Sequence, residues 1–211
     1  MNLPARVPTW IRMFFPNRIW QMNVQEKVLF ISFDDGPHEM ITPQVLDMLA
    51  KHGAKATFFC LGKNVLLHPS IFDRIITEGH AVGNHSHHHL NGWKTHDEKY
   101  QDDIIAAAGC IPSNLFRPPY GRLTSSQARR LQAAGFQVVM WSVLSADYNK
   151  EITKEKCAMR VLKNIQPGAI VLFHDSEKAA HNMLYALELL LKYATELGYR
   201  LEAIPYKKGS A

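Results

Sequence analysis

Carboxylates and imidazoles cluster at a few positions of this 211-residue chain. Asp34 and Asp35 are adjacent, and residues 85–89 contain four histidines, with His85 and His89 at the two ends. One helical turn would place the rings of His85 and His89 on the same face, where two imidazole nitrogens suit a divalent metal. Two imidazoles, one carboxylate and open positions for water form the ligand set of a catalytic rather than a structural metal. The pattern therefore predicts a catalytic metal site.

Both motifs also have explanations that involve no metal. A histidine-rich run can form a solvated loop, and an aspartate before Gly36-Pro37 can cap the turn. A turn accounts for one aspartate but not for two, because adjacent carboxylates repel each other unless a positive charge lies near them. In the metal-binding interpretation, the side chains of His87 and His88 point away from the metal.

Two further motifs offer groups for acid–base chemistry. Residues 117–121, with the sequence Arg-Pro-Pro-Tyr-Gly, form a stiff loop, since proline fixes φ and glycine permits the turn. This loop is either a rigid connection or one in which Arg117 forms a forked ion pair and the Tyr120 N–H faces an oxyanion. His174 follows a buried apolar run and is either a satisfied core residue or, opposite a metal, a candidate general acid.

Strand-like and helix-like segments alternate along the chain, which predicts parallel strands with helices packed outside them. A barrel or partial barrel fits better than an open nucleotide-binding sheet, because no glycine-rich phosphate-binding motif follows any strand. The predicted strands cover residues 28–33, 56–61, 81–83, 114–117, 137–142, 169–173 and 199–204. The predicted helices begin at Thr42, Pro69, Thr95 (with Glu98 as its capping-box partner), Thr124, Thr153 and Asn182.

The reactive residue types fall just after the ends of predicted strands. In a parallel α/β barrel the carboxyl ends of the strands share one face, and active sites are built there. We therefore expect one site at this face. Its members would be Asp34-Asp35, His85–His89, Arg117, Asp147 and His174-Asp175.

Size and composition are those of one globular domain, with 46% hydrophobic and 20% charged residues. The formal net charge of +5 comes from scattered lysines and arginines, so no nucleic-acid partner is expected.

Cys60, Cys110 and Cys157 are odd in number and lack C-x-x-C spacing. This argues against disulfides and a cysteine metal site, and it favours a reducing compartment.

Three regions are expected: an aromatic, proline-rich segment (1–26), the main domain (27–206) and a tail (207–211). The first region lacks the apolar core and cleavage site of a signal peptide, which predicts a cytoplasmic protein, with cell-envelope association left open. We expect the aromatic run 10–15 to pack across the open end of the domain, with contact at a membrane interface as the alternative. The pattern indicates no particular oligomeric state.

Five motifs, taken in chain order, resemble those of the polysaccharide deacetylase (NodB-homology) family. They are Phe33-Asp34-Asp35-Gly36-Pro37, His85-Ser86-x-x-His89, Arg117-Pro118-Pro119-Tyr120-Gly121, Trp141-Ser142 through Asp147-Tyr148, and Leu172-Phe173-His174-Asp175. The resemblance spans about residues 27 to 204 and implies a distorted (β/α) barrel with seven or eight mostly parallel strands. It implies a divalent metal on Asp35, His85 and His89, with zinc expected and cobalt, nickel or manganese as alternatives.

The same resemblance implies removal of acetyl groups from N-acetylated amino-sugars, in chitin-oligomer-like or peptidoglycan-like glycans. Asp34 would then be the general base, held in line by Arg117. The Tyr120 N–H would stabilise the oxyanion. His174 would be the general acid, with Asp147 keeping it protonated and oriented.

Trp141 and Leu172 would line a small pocket for the acetyl methyl group. The fourth motif departs from the family pattern, because Leu144 and Tyr148 stand where many members have Asp and Trp. Two alternatives stay open. One is a deacetylase or deformylase of a lipid-linked or small amino-sugar, and the other is a sugar-binding module with a degenerate site.

Overall fold

A computed structural model describes residues 4–206, so the predicted tail at 207–211 lies outside the described residues. Strands and helices alternate along most of the described chain. The strands are β1 (Val28–Asp34), β2 (Ala56–Cys60), β3 (Ala81–Asn84), β4 (Leu115–Phe116), β5 (Gln137–Val138), β6 (Val143–Leu144), β7 (Ile170–His174) and β8 (Arg200–Leu201). The helices are α1 (Thr9–Phe14), α2 (Ile41–Lys51), α3 (Gly62–Leu67), α4 (Pro69–Thr77), α5 (Asp97–Ala108), α6 (Ser125–Ala133), α7 (Lys154–Leu162) and α8 (Ala180–Glu196).

The strands form one curled, parallel sheet in the order β5-β4-β3-β2-β1-β7-β6, and β8 pairs with the first residues of β1. The central strand β1 is buried along its whole length. Both faces of a parallel sheet are covered, which is why β1 is a continuous apolar run rather than an alternating one. The predicted distorted barrel is confirmed.

Apolar side chains fill two layers, one inside the curl of the sheet and one between the sheet and its helices. Within the outer layer, the ring of Phe33 stacks on those of Phe58 and Phe173, with centroids 5.0 and 5.9 Å away. The inner layer contains Val28, Phe30, Phe59, Leu115, Val139, Ile170 and Ile204. The outer layer joins Leu29, Ile31 and Phe33 of β1 to residues of α2 and α8. These two layers hold the carboxyl ends of the strands in fixed positions, where the site is built.

The N-terminal segment bridges the open side of the barrel, between the two edge strands. Ile19 donates its N–H to the Val138 carbonyl (2.8 Å) and accepts from the Met140 N–H (2.7 Å). On the other edge, Arg6 forms an antiparallel bridge with Val143. Among residues 4–206, no helix combines the length and apolar character needed to cross a bilayer.

The predicted strand at 137–142 is wrong, because only Gln137 and Val138 form a strand and the chain then crosses to the opposite edge of the sheet, where β6 begins at Val143. β5 pairs with β4, and β6 pairs with β7, so residues 139–142 cross the gap between them. Most residues from Val138 to Leu144 are buried, and this nearly continuous apolar pattern is what made one strand look sufficient. The short helices α1 and α3 were also missed.

Two helices do not begin at the threonine that was predicted to cap them. Met40 rather than Thr42 precedes α2, and the Thr42 hydroxyl instead donates to Asp175 Oδ2 at 2.6 Å. The capping box of Thr95 with Glu98 is absent from the described chain, since α5 begins after His96 and Thr95 bonds to the Asn91 carbonyl. In both cases a tertiary or loop partner takes the hydroxyl that a local cap would use.

Removing the indole of Trp20 tests whether the N-terminal segment stabilises the barrel. Trp20 is 9% exposed, and its Nε1 donates to the Phe15 carbonyl, whereas Trp10 is 62% exposed. We expect Trp20→Ala to lower the free energy of unfolding by about 3 kcal/mol. Trp10→Ala should change it by less than about 0.5 kcal/mol.

Urea unfolding followed by circular dichroism measures both variants. Equal midpoints for Trp20→Ala and the unaltered protein would show that the segment lies on the barrel without stabilising it.

Candidate active site

One carboxylate and two imidazoles converge at the carboxyl ends of β1 and β3. Asp35, His85 and His89 each offer a ligand atom, and these three atoms lie within 4.8 Å of one another. Asp35 Oδ1 is 3.3 Å from His89 Nε2 and 3.7 Å from His85 Nε2. This oxygen is buried and has no hydrogen-bond partner among the described residues. A buried carboxylate oxygen left without a donor, between two ring nitrogens, fits a divalent cation.

The histidine segment is an irregular loop, so the predicted helical turn is wrong. Ser86 and His89 have left-handed backbones, with φ of 67° and 60°. The Asn84 side chain accepts from the Ser86 N–H, and the Ser86 hydroxyl accepts from the His89 N–H. These local bonds, rather than helical spacing, bring the His89 ring to that of His85, with a centroid distance of 5.1 Å.

His87 and His88 take no part in the ligand cluster, as expected. Asp103 on α5 accepts the backbone N–H groups of both residues at 3.0 Å, and His88 Nδ1 lies 2.5 Å from the same carboxylate. Asp103 therefore anchors the middle of the loop while its two ends face the cluster.

Burial and a backbone carbonyl prepare His85 for ligation. Its Nδ1 lies 2.8 Å from the Arg117 carbonyl oxygen, which can only accept, so Nδ1 carries the proton and Nε2 presents a lone pair toward Asp35. Burial, reinforced by the nearby His89, lowers the pKa of His85 to about 3. Burial also lowers the pKa of His89. Both rings are therefore neutral near pH 7, as metal ligation requires.

Asp34 and Arg117 form a fully buried ion pair behind the cluster. Arg117 Nη1 donates to Asp34 Oδ1 at 2.7 Å and to the Ser32 hydroxyl at 2.8 Å. The predicted forked pair is wrong, because Nη2 and Nε donate instead to the carbonyls of Met140 and Val139. Only one carboxylate oxygen is held. The other, Oδ2, lies 3.8 Å from His85 Nε2.

A second carboxylate–cation pair faces the first from β7. Asp147 Oδ2 accepts the His174 N–H at 2.7 Å, and Oδ1 lies 2.8 Å from His174 Nδ1. Burial alone would lower the pKa of His174. The charge and hydrogen bond of Asp147, with smaller contributions from Asp35 and Asp34, outweigh burial and raise that pKa to about 9. His174 is thus an imidazolium near pH 7, with Nδ1 engaged and Nε2 left for a ligand.

The three groups surround one cleft, the active-site cleft, with a volume of about 550 Å³. Every residue predicted for metal or substrate binding lies at its wall. Arg117 and Asp147 do not line it, because they are buried behind Asp34 and His174. Its lining comprises Asp34, Asp35, His85, His89, Tyr120, Gly121, Arg122, Trp141, Leu144, Tyr148, Leu172, His174, Ser176 and Lys178.

Asp175 is a site residue to which the sequence assigned no role. Its carboxylate accepts from the Gly36 N–H at 3.0 Å and from the Thr42 hydroxyl. A side chain at Gly36 would overlap this carboxylate, so only glycine fits there. Burial raises the pKa of Asp175 to about 7. Asp175 does not line the cleft but holds the turn that follows Asp35, and its position directly after His174 was the available signal.

Unusual backbone conformations concentrate around the cleft. Five non-glycine residues of the described chain have positive φ: Asp35 (83°), Ser86 (67°), His89 (60°), Tyr120 (60°) and Ala146 (60°). Three of them line the cleft, Ser86 adjoins His85 in sequence, and Ala146 packs against Leu144 and Leu172 of the cleft wall. Left-handed conformations cost a non-glycine residue on the order of 1 kcal/mol or more, so the surrounding packing must hold these loops.

With the fold and site defined, comparison with known proteins assigns the chain to a class. The model of the polysaccharide deacetylase family matches residues 21–139, more than half of the chain. The protein belongs to the polysaccharide deacetylase family. The resemblance seen in the five motifs is therefore confirmed.

The individual relatives that match the chain are deacetylases of glycans. A peptidoglycan-N-acetylglucosamine deacetylase of Bacillus cereus is 34% identical over 88% of this chain and 90% of its own length. A chitooligosaccharide deacetylase of Azorhizobium caulinodans is 34% identical over 70% of this chain and 73% of its own length. The crystal structure of the Bc1960 peptidoglycan N-acetylglucosamine deacetylase superposes with a TM-score of 0.87 and 29% identity. It covers 97% of this chain and 100% of that one. These similarities support a carbohydrate deacetylase.

The pKa of His174 can be measured directly in the metal-free protein. We expect its ring signals to titrate near pH 9 in NMR spectra, as the Asp147 charge requires. Asp147→Asn removes that charge and should lower the His174 pKa. Asp103→Asn removes a comparable partner from His88 and should leave the His174 titration unchanged. Identical titrations in the unaltered protein and in Asp147→Asn would contradict the assigned electrostatics.

Proposed function

We propose that the protein is a metal-dependent hydrolase that removes acetyl groups from N-acetylated amino-sugars in chitin-oligomer-like or peptidoglycan-like glycans. The observation that carries the proposal is the pairing of Asp34 with Arg117 on one side of the ligand cluster and of His174 with Asp147 on the other. A base held by a cation and an acid held by a carboxylate are the two proton-transfer groups that amide hydrolysis needs.

The cation would be held by Asp35, His85 and His89. When bound, it supplies a Lewis acid that polarises the acetyl carbonyl and makes water more acidic. Two imidazoles and one carboxylate suit zinc first, with cobalt, nickel and manganese as alternatives.

Asp34 acts as the general base. Its Oδ1 is occupied by Arg117, so the proton of the attacking water goes to Oδ2, the oxygen on the side of His85. Arg117 is buried, and each of its three side-chain nitrogens donates a hydrogen bond within the protein, so it positions this carboxylate without contacting substrate.

Tyr120 stabilises the tetrahedral oxyanion through its backbone N–H. Its left-handed φ of 60° and its place beside the His89 ring, at a centroid distance of 4.5 Å, set the orientation of this peptide at the cleft. One donor of this kind typically contributes about 3 kcal/mol of transition-state stabilisation.

His174 completes the reaction as the general acid. Its imidazolium gives the Nε2 proton to the sugar nitrogen as the C–N bond breaks, so that acetate and a free amine leave. Asp147 keeps the ring charged and fixes its orientation. The acetyl methyl group occupies the apolar wall formed by Trp141 and Leu172, to which Leu144 adds a contact.

Asp34→Asn separates catalysis from metal binding. We expect acetate release from N-acetylglucosamine tetramer to fall by about 10²–10⁴-fold, because the amide cannot accept the water proton. Zinc binding, measured by titration calorimetry, should persist. Asp102→Asn, an exposed change on α5, serves as the control with full activity. Near-normal turnover by Asp34→Asn would refute its role as the base.

Metal removal tests the ligand cluster. We expect dialysis against a chelator to abolish acetate release and re-addition of one metal at a time to restore it, with the greatest recovery for the preferred ion. His89→Ala removes a ligand and should weaken zinc binding by at least about tenfold. Undiminished activity after complete metal removal would exclude a metal-dependent reaction.

A second candidate keeps the site and changes the substrate to a lipid-linked or small amino-sugar, with removal of an acetyl or formyl group. The exposed side chains of Trp10, Met13 and Phe14 on α1 favour it, because such a patch suits an apolar carrier. Strict dependence on a lipid carrier, or release of formate rather than acetate, would select this candidate.

A further inference from the structure

A second cavity adjoins the active-site cleft on the side of His174. It has a volume of about 450 Å³ and lies between the residues that lead into α7 and α8. Lys178 lines both spaces, so they are neighbours rather than separate sites. The lining of this lysine cavity comprises Asp147, Lys150, Ile152, Thr153, Lys154, Glu155, Lys178, His181 and Asn182.

Positive charge prevails in the lysine cavity. Within residues 4–206, Lys150, Lys154 and Lys178 form no ion pair. Asp147 is already compensated by His174, which leaves Glu155 as the exposed carboxylate against three ammonium groups. Unpaired cations around a concave surface raise the local concentration of anions.

Lys178 connects this charge to the reacting groups. Its Nζ lies 5.7 Å from the ring centroid of Tyr148, and that ring meets the His174 ring edge-on at 5.1 Å. Lys178 and the cavity beyond it are therefore separated from His174 by the width of one aromatic ring. Tyr148 is also a position where this chain departs from the family pattern.

The frame of the cavity is rigid, although its lysines are on flexible stems. Asn182 is buried, and its amide donates to the carbonyls of Asp147 and Ile152, which ties α8 to the loop that carries Asp147. Lys154 lies 4.9 Å from the Tyr185 ring. The ammonium groups are therefore carried by a fixed scaffold next to the acid.

We propose that the lysine cavity binds a carboxylate carried by the glycan beside the sugar that is deacetylated. The enzyme then prefers acidic glycans, such as peptidoglycan fragments with free carboxylates, over neutral N-acetylglucosamine oligomers. This inference rests on the proposed deacetylase function and adds a substrate preference to it. Ammonium groups act on carboxylates as point charges, so the preference is electrostatic and weakens as salt is raised.

Matched substrates test the preference. Acetate release is measured on peptidoglycan fragments with free carboxylates, on the same fragments after amidation, and on neutral tetramer. We expect kcat/KM to be highest for the free-acid fragments and to fall with ionic strength for these alone. In Lys150→Gln/Lys154→Gln/Lys178→Gln, the ratio of kcat/KM for free-acid to amidated fragments should fall about tenfold, mainly through KM.

A charge-matched control removes three exposed lysines that do not line the cavity. Lys51→Gln/Lys163→Gln/Lys192→Gln lowers the net charge equally but should leave the substrate ratio as it is. Equal kcat/KM values for free-acid and amidated fragments, or the same loss of ratio in both triple variants, would overturn the proposal.

Binding measured without turnover keeps the two proposals distinguishable. Calorimetry with Asp34→Asn compares the affinities for free-acid and amidated fragments. Tighter binding of the free acid, lost in the cavity triple variant, supports the lysine cavity even if no substrate releases acetate. Equal affinities overturn it, whereas acetate release from the neutral tetramer alone would still uphold the deacetylase.

Discussion

The buried guanidinium of Arg117 links β1 to the segment that crosses between the two edges of the sheet. It binds Asp34 and Ser32 on β1 and the carbonyls of Val139 and Met140 in the crossing segment, and it stacks on Phe59 at 4.0 Å. A buried ion pair adds little net stability, but removing one partner leaves an uncompensated charge and is strongly destabilising. The Arg117–Asp34 pair therefore fixes the positions of the groups around it more than it adds to the free energy of folding. The position of the Asp34 carboxylate, the strand end that leads to Asp35 and the closure of the barrel all depend on it.

Two buried histidines near that pair have opposite protonation states. His85 is buried with a carbonyl on Nδ1, and its pKa falls to about 3, so it presents a lone pair. His174 is also buried, but a carboxylate on Nδ1 raises its pKa to about 9, so it presents a proton. One hydrogen-bond partner, neutral or charged, thus decides which ring is neutral and which is an imidazolium near pH 7. Separated pKa values of this kind let a neutral and a charged imidazole face the same cleft.

Much of this arrangement could be predicted from the sequence, because strand ends are marked by local composition. Buried strands β1 and β7 are long apolar runs, and parallel topology brings Asp34 and His174 to one rim. The family motifs pointed to the ligand residues. The course of residues 139–142 could not be predicted, because burial on both sides of the crossing erases the pattern that distinguishes one strand from two. The loop around His89 could not be predicted either, because its shape depends on hydrogen bonds made by Asn84, Ser86 and the distant Asp103.

The left-handed residues around the cleft have a consequence for how such a chain can change over time. Asp35 and His89 occupy backbone conformations that glycine or asparagine would adopt at lower cost. As long as the reaction is selected, the chemistry of these side chains prevents that exchange. Once selection for turnover relaxes, substitutions that relieve the backbone would be favoured for stability alone. A descendant of this protein would then lose its activity along a path that makes it progressively harder to unfold.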